Sequence, residues 1–87
     1  MEMPLNDGEI RIMKALIDGS QLTQDQIADR VNDSGADYSH ISMRTLLYRL
    51  RIRGYVHSNH PEMRRIPYTY DLTDDGVKAL SQITSGR

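Results

Sequence analysis

The sequence predicts an α+β domain that is mostly α: a three-helix bundle, a two-stranded β-hairpin and a short C-terminal helix. Three observations point there. Apolar residues recur at helical spacing in four separate stretches, as in helices that bury one face. Residues 68–72 instead alternate apolar and polar, the period of a half-buried strand. Each helical stretch also opens on a side chain that can accept from the unpaired N–H groups of a first turn.

The first stretch opens on Asn6-Asp7-Gly8-Glu9, with an acceptor at Asn6 and a carboxylate three residues on, a capping-box pattern. Ile10, Met13, Leu16 and Ile17 then supply the buried face until Asp18-Gly19-Ser20 stops the helix. The second start is Leu22-Thr23-Gln24-Asp25-Gln26-Ile27. Thr23 and Gln26 fit a capping box, while Leu22 and Ile27 stand where two apolar side chains clasp across a helix start. Ile27, Ala28 and Val31 form the buried side of a short helix that ends near Asn32 and supports the next one. Residues 33–38 are a polar connection. Asp33, Gly35 and Asp37 have some character of a calcium loop, but the carboxylates are too few and no Glu follows, so no metal is assigned.

Ser39 to Gly54 is the stretch that organises the chain. Met43, Leu46, Leu47 and Leu50 fall at i, i+3, i+4 and i+7, one helix face turned to a core. At about 100° per residue, Arg44 and Arg51 flank one side of that stripe and Arg49 and Arg53 the other, with Ile41, Thr45, Tyr48 and Ile52 opposite it. Ser39 or Ser42 caps the start, and Gly54 suits the left-handed residue just past the end. Tyr55-Val56-His57-Ser58 is strand-like, Asn59-His60-Pro61-Glu62 breaks it, and Tyr68, Tyr70 and Leu72 mark the returning strand. The tip between them carries Arg64 and Arg65, and Pro67 stands at a strand's start, where a missing N–H costs little. In Leu72-Thr73-Asp74-Asp75-Gly76-Val77 the cap-and-staple pattern returns, followed by Val77, Leu80 and Ile83 on the apolar face of a closing helix.

The 87 residues make one domain, 1–87, with an ordered core over about 6–83. A chain of this size buries roughly 60–65% of its unfolded surface. There is no cysteine, which excludes disulfides and thiolate metal sites and is compatible with a reducing cytosol; a cytoplasmic location is expected. No apolar run approaches the ~18 residues of a membrane span, and no signal-peptide pattern opens the chain. The net charge of −1 hides a division. Residues 1–37 carry eight acids against three bases, a charge of −5; residues 38–67 carry six arginines against Glu62, a charge of +5; residues 68–87 carry three acids against two bases. A phosphate backbone senses the local field rather than the sum. The three histidines, His40, His57 and His60, also lie in the positive third.

The order helix, helix, arginine-rich helix, hairpin, helix resembles the winged-helix domain over nearly the whole chain. Leu50-Arg51-Ile52-Arg53-Gly54-Tyr55-Val56 is similar to the end of a recognition helix entering a wing. Arg64-Arg65 through Tyr70-Asp71-Leu72-Thr73-Asp74-Asp75-Gly76, with Leu80, is similar to the corresponding segment of the MarR and PadR groups. The resemblance implies that the third helix (about 39–53) enters the major groove while the basic wing (about 57–67) lies on the backbone or minor groove. By position it implies DNA contacts from His40, Ser42, Arg44, Thr45, Tyr48 and Arg49 on the helix and from His60, Arg64 and Arg65 on the wing. Only a short helix follows Thr73, so the long dimerising helices of those groups have no counterpart in this sequence. Compact winged-helix proteins of phage, plasmid or archaeal type are the closer analogy. A homodimer would have to use the Ile41–Tyr48–Ile52 stripe or the closing helix.

Two function classes stay open. One is a small transcriptional regulator that binds double-stranded DNA, because arginines both neutralise phosphates and bond guanine bidentately in a groove that admits a helix. The other is a protein-interaction module in a replication, partition or phage inhibitory complex, suggested by the apolar Ile41–Thr45–Tyr48–Ile52 stripe. No enzyme and no cofactor are expected, since no phosphate loop, carboxylate pair or nucleophile signature is present. His57-x-x-His60-x-Glu62 reads as a wing turn rather than a metal cluster.

Overall fold

Helix starts fall where the side-chain acceptors lie. The computed structural model describes residues 5–33, 35–59 and 68–85. In order these form α1 (Asp7–Ala15), β1 (Leu22–Thr23), α2 (Gln24–Asp33), α3 (His40–Ile52), β2 (Val56–Asn59), β3 (Thr69–Leu72) and α4 (Asp74–Ser85). At α1, Glu9 N donates to Asn6 Oδ1 at 2.8 Å and Asn6 N to Glu9 Oε1 at 3.2 Å, a complete capping box. At α2 the box also closes: Thr23 N donates to Gln26 Oε1 at 2.9 Å and Gln26 N to Thr23 Oγ1 at 3.2 Å. Ser39 Oγ accepts from Ser42 N to cap α3, and Thr73 Oγ1 accepts from Gly76 N to cap α4.

The helices enclose one apolar core. Met43, Leu46, Leu47 and Leu50 of α3 are all buried, as their spacing predicts, against Ile12, Met13 and Leu16 of the first helical segment and Ile27 and Val31 of α2. Two apolar faces differ from the sequence reading. In α1 the buried stripe is Glu9, Ile12, Met13 and Leu16, while Ile10 is half-buried and Ile17 exposed. The helix ends at Ala15, so Ile17 falls in the following turn and leaves the helical phase. In α4 Leu80 is buried but Val77 and Ile83 are exposed; small residues, Gly76 and Ala79, face the core beside it.

The sheet has a strand beyond the two of the hairpin. Leu22–Thr23 pairs antiparallel with β3, Leu22 opposite Tyr70, and β3 pairs antiparallel with β2 from Val56–Leu72 to Asn59–Thr69. A two-residue strand carries no period for a sequence to display; it exists because Leu22 is held at the α2 cap beside β3. The connection from β2 to β3, residues 60–67, lies outside the described residues.

α3, the sheet and α4 meet in one joint. Gly54 adopts φ +80°, and Gly54 N donates to Arg51 O while Tyr55 N reaches back to Leu50 O, both at 3.0 Å, the paired bonds of a Schellman motif. The next carbonyl belongs to α4: Thr73 N donates to Tyr55 O at 3.0 Å, and Thr73 Oγ1 donates to Gly54 O at 2.7 Å. Gly76 completes the contact, since a Cβ there would stand 2.3 Å from Tyr55 O. The two glycines therefore do different work. Gly54 has open space around it and is needed for its backbone angle; Gly76 is needed for lack of a side chain.

Two substitutions separate these roles in denaturant melts. Gly54→Val should cost about 1–2 kcal/mol, the strain of a side chain in a left-handed residue. Gly76→Ala should cost about 1–3 kcal/mol, because the methyl can be housed only by moving α4 off the Tyr55 carbonyl. Gly76→Ala should also broaden the amide resonances of Gly54 and Thr73, which Gly76→Ala at full wild-type stability would contradict.

Candidate nucleic-acid interface

Burial of one face of α3 presents the other. Ile41, Ser42, Arg44, Thr45, Tyr48, Arg49, Arg51 and Ile52 are all exposed, on a helix without a single acid. Arg44, Arg49 and Arg51 have no ion-pair partner among the described residues. The other described arginines do: Arg11 with Asp7 at 2.6 Å, Arg30 with Asp18 at 3.1 Å, and Arg53 with Glu9 at 3.8 Å. Asp7 and Asp18 are held below the usual carboxylate range, Asp7 first by its bond from Arg11 and Asp18 first by bonds from Ser20. Positive charge on the outside of α3 is thus left unanswered among the described residues.

The start of α3 adds to it. α1, α2 and α4 each carry an acid in the first turn, opposite the partial positive charge of their free N–H groups, and α3 carries none. His40 stands there in a defined setting. Gln24, first residue of α2, donates its amide to the His40 carbonyl at 3.0 Å, and the same Nε2 lies 3.1 Å from the ring Nδ1. The same amide nitrogen lies 3.5 Å from the ring Nε2, so Gln24 holds both the backbone and the ring of His40 at the start of α3. Asp25 Oδ1 lies 4.0 Å from the same Nδ1.

Of the residues that the sequence singles out, the structure brings His40, Ser42, Arg44, Thr45, Tyr48 and Arg49 onto one exposed helix surface. Ser42 is partly committed, since Ser39 Oγ donates to its Oγ at 3.0 Å. His60, Arg64 and Arg65 lie outside the described residues. Arg53 departs from its expected place on the outer flank. It turns inward beside the buried Glu9 carboxylate and over the Tyr55 ring, 6.0 Å from the centroid, and so ties α3 to α1. Its relocation follows from Glu9, whose Oε1 serves the α1 cap and whose Oε2 has no hydrogen-bond partner.

The structure adds residues that the sequence reading passed over. A groove beside α3 is lined by Gln24, Arg44, Tyr48, Arg51, Tyr68 and Tyr70, with Leu47 at its base. Tyr68 and Tyr70 were legible as one side of a strand, but only the β1–β3 pairing turns that side toward α2 and α3. On β2, His57 faces Asp71 across the ladder, Nδ1 to Oδ1 at 3.5 Å. Among the described residues no three His, Cys, Asp or Glu side chains group as a metal site, and no helix is long and apolar enough to cross a membrane.

A supporting helix, an exposed cationic helix and an antiparallel sheet closed by a capped fourth helix define the winged helix, with the helix–turn–helix formed by α2 and α3. Solved winged-helix regulators superpose on it. It is similar to BpsR of Bordetella bronchiseptica, whose DNA binding is regulated by 6-hydroxynicotinic acid, at TM-score 0.81 and 18% identity, covering 94% of this chain and 61% of that one. A PadR family transcription regulator of Clostridium difficile matches at TM-score 0.79 and 18% identity, over 93% of this chain and 86% of that one. MepR of S. aureus, solved with DNA, matches at TM-score 0.76 and 18% identity, over 93% and 63%. At such identities the likeness establishes the fold, and the chain spans less than two thirds of BpsR and of MepR. By sequence it matches no family model and no curated protein.

Arg53 is set apart from the outer arginines by a stability measurement. Arg53→Ala should destabilise the fold by about 2–3 kcal/mol, because it strands the buried Glu9 carboxylate. Glu9→Gln should cost less, since Arg53 keeps access to water. Arg44→Ala should leave the melting temperature unchanged.

Proposed function

We propose that the protein is a small transcriptional regulator that binds double-stranded DNA, with α3 in the major groove and the basic wing, about residues 57–67, on the backbone or minor groove. One observation carries this reading: Arg44 and Arg51 on one flank and Arg49 on the other flank of an acid-free helix's outer face have no ion-pair partner among the described residues, while the other described arginines are matched to carboxylates. Unmatched cations on an exposed helix suit a polyanion whose groove is the width of a helix. The named solved structures are regulators of the same fold, and MepR was solved with DNA. On this reading His40, Ser42, Arg44, Thr45, Tyr48 and Arg49 meet DNA from α3, and His60, Arg64 and Arg65 from the wing. It is a single-domain, non-enzymatic reading and places the protein in the cytoplasm. Self-association, where it occurs, is assigned to the exposed Val77 and Ile83 of α4. Sedimentation of the wild type against Val77→Glu checks it, and a wild-type monomer at high concentration removes it.

A second reading, a protein-docking module, has its own observation: Ile41, Tyr48 and Ile52 are 76%, 59% and 68% exposed along the same helix. An electrophoretic shift with random duplex separates the two. Four to six phosphate contacts should give a slope of log K against log salt of about −4 to −5. A slope near zero would favour the protein module.

The helix and the wing are assigned different parts. Arg44 lies near the start of α3, where side chains reach base edges; Arg64 and Arg65 lie on the wing, where phosphate contacts are expected. Arg44→Ala should lower the ratio of specific to random binding. Arg65→Ala should weaken both alike and flatten the salt slope by about 1. The reverse pattern would mean that the wing reads sequence.

A further inference from the structure

The outer ridge of α3 is a problem for a plain electrostatic account, because its crest is apolar. Ile41, Thr45 and Tyr48 follow at i, i+4 and i+7, so they line up along one side of the helix over about 10 Å of rise. Ile41 and Tyr48 are more than half exposed. The apolar file is one residue wide. Arg44 and Arg51 run beside it on one flank and Arg49 on the other, and none of the three is neutralised among the described residues.

Resting on the DNA-binding reading above, we infer that this ridge reads thymine: Ile41, the Thr45 methyl and the Tyr48 ring pack on C5-methyl groups of successive A·T pairs, while the arginines beside them take phosphates or guanine. The flanking charge commits the ridge to a polyanion. Within the major groove the thymine C5-methyl is the one methyl group that base pairs offer; apart from the small cytosine C5–H, the other edge positions are donors or acceptors. An isoleucine pressed on those polar edges would leave them without partners, at a cost. A file of three apolar groups over about 10 Å matches about three base-pair steps at 3.4 Å each. Ile52 lies a turn further on, where it lines a groove with Tyr48, Arg51 and Val56, His57 and Ser58 of β2; the three groups nearer the helix start, where side chains reach base edges, are the ones assigned to bases.

The test uses the full chain and the duplex that it enriches from a random pool, made once with thymidine and once with deoxyuridine throughout. The two differ only by the C5 methyls. The thymine duplex should bind more tightly by roughly three- to fourfold for each methyl contacted, on the order of tenfold for two. Ile41→Ala should shrink that difference by one contact's share, about three- to fourfold, at an unchanged melting temperature, since Ile41 is on the surface. Arg44→Ala should weaken both duplexes and keep the difference. Equal affinity for the two duplexes, or an enriched site without thymine, would overturn the inference and leave DNA binding standing. Failure to bind any duplex would overturn both and return the ridge to a protein partner.

Discussion

The fold turns on the carbonyl groups of Gly54 and Tyr55. They come at the point where α3 must stop and the sheet must start, and both find their donor on one residue. Thr73 supplies both donors, its N–H to Tyr55 and its hydroxyl to Gly54, while the same hydroxyl accepts from Gly76. One threonine thus closes α3, opens α4 and fixes the spacing of β2 and β3 between them. Gly54 and Gly76 are what allow the two chain segments to meet at that distance. The two sequence segments that carry the resemblance to winged-helix regulators are therefore two halves of one physical joint. Their separation along the chain is the length of the wing.

This joint explains how a core without Phe or Trp can hold a recognition surface still. Among the described residues twelve buried apolar side chains, none larger than Leu or Met, form the core, and four of them come from α3 alone. A helix anchored along its whole inner face and locked at its C-terminal end has little freedom to roll. Its outer side chains keep a fixed order: Ile41, Thr45 and Tyr48 on the crest, arginines on the flanks. Arg53 contributes from the other side, where its ion pair with the buried Glu9 ties the end of α3 to the start of α1.

What the sequence showed and what it hid divide along physical lines. Devices that act over three or four residues were legible: the boxes at Asn6–Glu9 and Thr23–Gln26, the cap at Thr73, the left-handed Gly54 and the α3 stripe, with the α3 cap narrowed to Ser39 or Ser42 and falling to Ser39. Features that depend on which neighbour arrives were not. Residues 10–17 carry apolar side chains on several sides, so periodicity could not choose Ile12 over Ile10 or Ile17; the end of the helix at Ala15 takes Ile17 out of phase, and packing in the core cluster buries Ile12 rather than Ile10. Val77 and Ile83 have the spacing of a core face, yet the close approach of Gly76 to Tyr55 sets α4 down on its small residues instead. Arg53 was counted with the outer cations because nothing local announces that Glu9 lies buried beside it. At the candidate interface, the helix residues were named from the sequence, but Gln24, Arg51 and the Tyr68–Tyr70 side of the sheet were not, since the β1–β3 pairing that gathers them rests on only two residues.

The overall charge of −1 is compatible with the DNA-binding reading because distance matters more than sum. At physiological salt a charge is screened within about 8 Å, so acids on the far side of a body 43 × 26 × 24 Å in extent do little at α3. Asp25 is different. It sits at the start of α2, 4.0 Å from His40 Nδ1, at the edge of the cationic face. An acid there repels any phosphate that approaches from the α2 side, and it leaves the arginine flanks untouched. On that reading Asp25 adds no affinity and narrows the orientations in which a duplex can dock. A face that attracts along α3 and repels at one end favours one register of the helix in the groove. On the thymine-reading inference, that constraint brings the apolar crest to the same base pairs each time, and contact with particular pairs is what gives sequence preference.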